Sequence, residues 1–299
     1  MLGAIYRRQK ARRGSFVFFA AALALASIPL DAMDWPLPDA VMVRNFGFND
    51  RGRPMTGTVF EGEGPVLAAE EGELIFSRSA GETASRLSSP LGAWTALDHG
   101  NGLISIYSRR EDDGGNPAPR RIERGGPIAA AGISGWSNRS GLYFILYDRR
   151  ERRWVNPSMI ITPFPDRRQP QILAVDLRND QGTLVPRGQT RMNQGRYTIL
   201  ISAVDTMLDP RENPLAPYRI VCSVNGVEIG SLHFETISAR DGSLMVYRSG
   251  FAPAAQVYAP FPAFEIGEAF LTRGQASLEI LVQDVAGNER SALSRLTVE

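Results

Sequence analysis

The chain has 299 residues, of which 43% are hydrophobic and 22% charged, and its formal net charge is +1. This balance is typical of a globular protein with a buried core, and the length predicts two domains. It excludes the concentrated positive charge that a nucleic-acid partner requires, so we expect no nucleic acid.

The N-terminal segment has the composition of an export signal. Its basic residues are Arg7, Arg8, Lys10, Arg12 and Arg13, and the apolar run SFVFFAAALALASI follows them. This order predicts a signal peptide over residues 1–32, cleaved after Ala32, with cleavage after Ala26 as the alternative. An uncleaved membrane anchor is the competing interpretation, but the run is shorter than the roughly 20 residues of a spanning helix. We therefore expect a periplasmic or extracytoplasmic protein without a stable membrane span.

Beyond residue 40, short runs rich in Val, Ile, Leu, Tyr and Phe alternate with clusters of Gly, Pro, Asn and Asp. This pattern predicts an almost all-β protein. The predicted strands of the first half are GPVLAA, GELIFSRS, AWTALDHG, GLISIYSRR, GPIAAAG, LYFILYD and RWVNP, with an Asn-Gly hairpin at DHGNG. The proline-rich segment 162–171 predicts a domain boundary, which gives domains at 33–165 and 166–299.

The second half has the strand spacing of a β-sandwich. Its predicted strands lie in QILAVDLRN, GRYTILISAVD, YRIVCSVNGVEIGSLHFETIS, GSLMVYRS and ASLEILVQDVAGNERSALSRLTVE. The DVAGN turn resembles the last hairpin of a bacterial immunoglobulin-like domain. Cys222 is the single cysteine, which excludes an internal disulfide, and its alternating neighbours place it in the core. A catalytic thiol, the alternative, would need a nearby histidine such as His233.

Five stretches in the first domain occur in the order found in a known family. They are RNFGF, GPVLAAEEGELIF, LDHGNGLISIYSR, RGGPIAAAGISGWSNRSGLYFILYD and VNPSMII. Together they resemble the lysostaphin or LytM-type zinc peptidases, which cut peptide cross-links in bacterial cell walls. The resemblance implies a LytM-like β-sheet domain, with zinc held by a His and an Asp near its start and by the second His of a His-x-His strand.

The positions that this resemblance assigns to the catalytic site carry other residues. The first His and Asp should fall within residues 52–64, which contain neither. Arg109 stands at the histidine of the family's Tyr-x-His, and Gly141 and Tyr143 stand at its His-x-His. Glycine has no ligand atom, tyrosine must first lose its proton, and arginine stays cationic, so none suits zinc at neutral pH. We therefore predict a pseudopeptidase with no metal and no cofactor.

The resemblance also defines a candidate binding surface. Arg109, Trp136 and Tyr143 would line the former substrate groove, where they either bind a peptide or glycan strand or fill the vacated site as packing. The chain has two histidines. His99 corresponds to a turn histidine that is not a ligand, and His233 lies in the other domain. We expect a non-catalytic role at the cell envelope, with peptidoglycan or a cell-wall hydrolase as partner. The alternatives are an active zinc endopeptidase with unorthodox ligands and a purely structural envelope module.

Three charged segments have both a functional and an ordinary interpretation. The acidic cluster Glu61, Glu63, Glu70, Glu71 and Glu73 could hold a cation, but without calcium-loop spacing we expect a solvated hairpin edge. Residues 148–154, DRRERRW, could bind an anionic wall polymer, and we expect a strand-to-strand turn instead. Asp205, Asp209, Glu212 and Asn213 could bind calcium, but we expect a proline-rich connection.

Overall fold

The computed structural model describes residues 32–79, 89–111, 119–207 and 213–299. The chain from Ala32 to Glu299 forms one compact unit. The predicted signal peptide lies outside the described residues, apart from Ala32. Across the described ranges, no helix combines the length and the apolar character needed to traverse a bilayer.

The protein is almost entirely β, which confirms the predicted fold class. The strands of the first half are β1 (Val41–Arg44), β2 (Asn49–Asp50), β3 (Arg53–Pro54), β4 (Thr58–Glu61), β5 (Pro65–Leu67), β6 (Gly72–Arg78), β7 (Ala93–Asp98), β8 (Leu103–Arg110), β9 (Arg121–Ile122), β10 (Pro127–Ala130), β11 (Gly141–Asp148) and β12 (Arg153–Val155). A single 3-10 turn in this half, within the described residues, spans Pro157–Met159.

The second half is also built of β-strands, most of which are longer. They are β13 (Gln171–Asn179), β14 (Arg191–Met192), β15 (Gly195–Val204), β16 (Arg219–Val224), β17 (Val227–Arg240), β18 (Ser243–Arg248), β19 (Phe251–Pro253), β20 (Ala263–Leu271), β21 (Gly274–Gln283) and β22 (Glu289–Val298). A short helix, α1 (Ala254–Val257), lies between β19 and β20.

The predicted hairpins are present. The DHGNG segment joins β7 to β8, and the DVAGN turn joins β21 to β22. Between β16 and β17, Asn225 and Gly226 both have positive φ, 51° and 77°. A two-residue hairpin with positive φ at both positions is the turn that Asn-Gly favours, because its twist matches that of the flanking strands.

One sheet runs through both halves of the chain. Its order is β14–β22–β21–β16–β17–β12–β11–β8–β7–β6–β9. Strand β4, which pairs with β1, joins the sheet at the same edge of β11 that pairs with β12. Strand β12 joins the halves, because Trp154 lies opposite Tyr147 of β11 on one side and opposite Ile237 of β17 on the other. The boundary that the sequence predicts at residue 165 stays a prediction.

Two clusters of buried apolar side chains lie on this framework. The first contains Phe60, Tyr107, Leu142 and Phe144, from strands β4, β8 and β11. The second lies between the three-stranded sheet β13–β15–β20 and strands of the large sheet. Cys222 is buried in it, as predicted, and burial raises the pKa of its thiol to about 12. The immunoglobulin-like assignment of this half stays a prediction.

Candidate functional site

Strand register places Gly141 and Tyr143, two of the predicted site positions, on one face of the large sheet. Tyr143 of β11 lies opposite Val59 of β4 on one side and opposite Ser108 of β8 on the other. Residues directly opposite each other in antiparallel strands project from the same face. The face that carries Tyr143 is therefore the one on which the resemblance would place a metal site.

Gly141 occupies a position where the backbone leaves no room for a side chain. It pairs with Glu61 of β4, and a Cβ built on Gly141 would lie 2.0 Å from the carbonyl oxygen of Phe60. A histidine at this position would therefore require β4 to move away from β11. A side chain at this position is therefore incompatible with the observed spacing of the two strands.

Tyr143 is held as a neutral phenol. Its hydroxyl lies 3.0 Å from Thr56 Oγ1, and Gly57 packs so tightly on the ring that a Cβ there would stand 2.9 Å from Tyr143 Cε2. Burial raises the pKa of Tyr143 above its ordinary value. A phenol that keeps its proton at neutral pH is a poor zinc ligand and a good hydrogen-bonding partner.

Arg109 reaches over the ring of Tyr143 from a strained backbone position. Its φ is +67°, at a shift in the register between β7 and β8, and its N–H donates to Leu91 O at 2.9 Å. The guanidinium carbon lies 5.4 Å from the centroid of Tyr143, a distance typical of a cation–π contact. Burial lowers the pKa of Arg109, and its Nε has no hydrogen-bond partner among the described residues.

The carboxylate whose charge acts on this arginine, Glu61, is already engaged in an ion pair. Glu61 projects from the same face as Val59, two residues along β4, and it forms an ion pair with Arg139 at 2.7 Å. Within the described residues, the side chain of Arg109 donates no hydrogen bond and forms no salt bridge. We name Thr56, Arg109 and Tyr143 the arginine–tyrosine site. The site combines the positive charge of Arg109 with the hydrogen-bonded hydroxyl groups of Tyr143 and Thr56. Sequence reasoning missed Thr56, because a single threonine outside a motif does not indicate a site.

Trp136 is the third predicted binding residue. Its side chain is 76% exposed, and its backbone N–H donates to Pro90 O at 3.2 Å. In the described part of the chain, no ring contact joins Trp136 to Arg109 or Tyr143. The structure therefore brings two of the three predicted binding residues together, and the role of Trp136 stays a prediction.

His99 is part of a hydrogen-bonded network that leads to the first core. Its Nδ1 lies 2.7 Å from Glu71 O, and its Nε2 lies 2.8 Å from Ser105 Oγ. Ser105 Oγ is 3.0 Å from the hydroxyl of Tyr107, which also accepts the N–H of Ala69 at 2.8 Å. Burial raises the pKa of Tyr107 to about 12. Both ring nitrogens of His99 are thus used within the fold.

His233, the other histidine, lies in β17. Its ring meets that of Tyr247 edge-on, with the centroids 5.5 Å apart, and its Nδ1 is 3.6 Å from Glu235 Oε1. Among the described residues, no hydrogen bond joins His233 to Cys222. Its surroundings agree with a structural residue on a strand.

Four of the five carboxylates of the acidic cluster form ion pairs with arginines. Besides the pair between Glu61 and Arg139, the contacts of the cluster are Glu70 with Arg124 at 3.8 Å, Glu71 with Arg121, and Glu73 with Arg120 at 2.8 Å. Carboxylates that face separate arginines do not converge on one ion, which agrees with the expected surface edge. Within the segment 148–154, residues 149–152 form the expected turn between β11 and β12.

Asp205 belongs to a different acidic group from the one that the sequence indicated. Asp209 and Glu212 lie outside the described residues. Among the residues described, Asp166, Asp205 and Asp284 are the group of three carboxylates with oxygens within 4.8 Å of one another. Burial and then the charges of Asp284 and Asp166 raise the pKa of Asp205 to about 7. Asp284 accepts the backbone and side-chain N–H groups of Asn288, at 2.8 and 2.7 Å.

Comparison with known proteins gives partial matches. A protein-family model matches residues 169–299. No curated protein sequence matches the chain. Similar solved structures include a mutant catalytic domain of the prophage-encoded M23 protein EnpA from Enterococcus faecalis, 19% identical over 40% of this chain and 90% of that chain, with a TM-score of 0.33.

Two further solved structures are similar to part of the chain. The catalytic domain of the antimicrobial peptidase lysostaphin from Staphylococcus simulans is 16% identical over 38% of this chain and 84% of that chain, with a TM-score of 0.31. The SpoIIQ–SpoIIIAH pore-forming complex includes a chain that is 13% identical over 44% of this chain and 92% of its own length, with a TM-score of 0.35.

Proposed function

We propose that the protein is exported and works at the cell envelope as a non-catalytic LytM-like protein. Its arginine–tyrosine site binds peptidoglycan or contacts and regulates a cell-wall hydrolase. The proposal rests on the order of the five family stretches in the sequence and on what fills the positions that would bind zinc. It places the protein in the periplasm or another extracytoplasmic compartment.

The observation that carries this proposal is the closed position at Gly141. A catalytic zinc requires about three protein ligands and an open coordination position for water. At the corresponding positions the chain has Gly141, which packs against the Phe60 carbonyl, and Tyr143, which is hydrogen-bonded to Thr56. The third position has Arg109, whose positive charge repels a divalent cation. These residues support a site that binds rather than cuts.

The same residues support a defined kind of ligand. A guanidinium without an internal partner binds a carboxylate through paired hydrogen bonds, and its contact with an aromatic ring holds it in place. Peptide stems of the cell wall and acidic loops of a hydrolase both present carboxylates. Binding by Arg109 therefore suits either partner, and experiment distinguishes them.

The test uses the full-length protein and purified cell-wall sacculi. We expect sedimentation with the sacculi, a loss of about tenfold in apparent affinity for Arg109→Ala, and no release of soluble wall fragments when zinc is added. Arg196→Ala is the matched control, because Arg196 is an exposed arginine on β15 that pairs with Glu268 at 3.3 Å. Zinc-dependent release of fragments would overturn the proposal. Failure to sediment, together with Arg109-dependent binding to a purified wall hydrolase, would assign the regulatory role.

A further inference from the structure

An exposed pair of aromatic rings lies on the strands next to the arginine–tyrosine site. Phe76 of β6 and Trp94 of β7 stack with their centroids 4.4 Å apart and an angle of 28° between the rings. The side chain of Phe76 is 46% exposed, and Trp94 is partly exposed. The indole N–H of Trp94 donates no hydrogen bond in the described part of the chain. We name Phe76 and Trp94 the aromatic pair.

The aromatic pair shares its sheet face with the arginine–tyrosine site. Trp94 lies opposite Ser108 of β8, and Ser108 lies opposite Tyr143 of β11. Opposite residues project from the same face, so Trp94 and Tyr143 stand two strand spacings apart, or about 10 Å. Arg109 follows Ser108 along β8, and its guanidinium carbon lies 5.4 Å from the centroid of the Tyr143 ring.

The chemistry of this surface suits a carbohydrate ligand. Flat, exposed aromatic rings offer an apolar surface of the size of a sugar ring, and an indole N–H at the edge adds a donor for a hydroxyl or acetamido oxygen. Arg109 supplies a positive charge beside Tyr143. Its neighbour Glu61 is neutralised by Arg139, so the net charge of the surface favours an acidic ligand.

An extended peptide fits this surface less well. Peptides that join a sheet add to an open strand edge. Between Trp94 and Tyr143 no edge is open, because β7 pairs with β6 and β8, and β8 pairs with β7 and β11. A ligand that crosses this face must therefore lie on side chains, which suits a chain of rings with apolar faces.

We propose that the aromatic pair binds the sugar rings of an amino-sugar polymer while Arg109 binds a carboxylate on the same polymer. This inference rests on the proposed function, because it names glycan as the part of the wall that the site recognises. It also predicts that the footprint extends from β11 across β8 and β7 to β6. Trp94 is the residue whose contact with ligand is most easily detected.

The test compares the full-length wild type with Trp94→Ala, Phe76→Ala and Arg109→Ala. The probes are a soluble N-acetylglucosamine tetramer, intact sacculi and sacculi stripped of their peptides. We expect the tetramer to change the tryptophan fluorescence of the wild type, and each aromatic variant to bind the tetramer and both kinds of sacculi about tenfold more weakly. Phe270→Ala is the control, since Phe270 is an exposed aromatic residue on β20, and thermal unfolding checks that every variant folds.

The outcomes separate the inference from the proposed function. If the aromatic variants bind both kinds of sacculi like the wild type while Arg109→Ala does not bind, the inference is wrong and the proposed function stands. If the wild type binds intact but not stripped sacculi, the ligand is the peptide, and the inference is again wrong. If the wild type binds no sacculi and no hydrolase, the proposed function itself fails.

Discussion

Replacing Asp205 by asparagine is expected to remove a pH dependence from the free energy of unfolding. Asp205 is 4% exposed, and its carboxylate faces those of Asp166 and Asp284 within 4.8 Å. Burial, followed by repulsion from Asp284 and then Asp166, raises its pKa from 3.8 to about 7. The folded protein therefore keeps a proton on Asp205 over a range of pH in which the unfolded chain has released it.

The sign and size of the effect follow from this difference in bound protons. Between about pH 4 and about pH 7 the unfolded state binds fewer protons, so the stability falls as the pH rises, and the loss is complete above about pH 7. Three pH units at about 1.36 kcal/mol each give about 4 kcal/mol as the upper figure. Asp284, whose pKa burial also raises, shares in the same repulsion, so we expect a measured value of about 2 to 4 kcal/mol.

The assay is urea unfolding of the wild type and Asp205→Asn at about pH 5 and about pH 8, in the presence of a chelator. The variant keeps an oxygen for the N–H of Thr206, which Asp205 Oδ1 accepts at 2.8 Å. It should lose less stability than the wild type between the two pH values, whereas the exposed control Asp180→Asn should behave like the wild type. Equal pH dependence in the wild type and Asp205→Asn would refute the reasoning.

Three further predictions concern other buried positions. Gly141→Ala should lower the free energy of unfolding by about 1–3 kcal/mol, because its Cβ would press on the Phe60 carbonyl; urea unfolding measures this, and an unchanged midpoint would contradict the close contact. Tyr107→Phe should cost about 1–3 kcal/mol, since the N–H of Ala69 loses its acceptor, and a thermal melt equal to that of the wild type would show that the network contributes nothing. Cys222 should react with a thiol reagent only after unfolding, because it is buried and its pKa is raised to about 12; rapid labelling of the native protein would contradict this.

Local sequence patterns predict most of the longer strands. The strands that they miss have a weak alternation of apolar and polar residues or are too short to show one. The alternation in GLISIYSRR and GRYTILISAVD corresponds to β8 and β15. Strand β20 was not predicted, although its buried residues alternate, because AFEIGEAFL contains a glycine and two glutamates and begins among prolines. Strand β4 was not predicted as a strand either, because its four residues are too short for a periodic signal.

The part of the candidate site that depends on the order of motifs along the chain is predictable from the sequence. The family stretches identified Arg109 and Tyr143, and the structure places them in contact. The closed position at Gly141 could not be predicted, because it depends on how closely β4 approaches β11. The three aspartates come from segments far apart in sequence, so only the packing of the chain brings them together.

The position of β12 has a consequence for any shortened form of the protein. This three-residue strand is hydrogen-bonded to β11 on one side and to β17 on the other. A protein that ends near residue 165 would lose β17 and leave the backbone groups that face it, such as the N–H of Asn156 that donates to Glu235 O at 2.9 Å, as an unpaired strand edge. Exposed strand edges of this kind pair with other chains. Such a fragment should therefore self-associate through β12, and measurements on it would not describe the monomer.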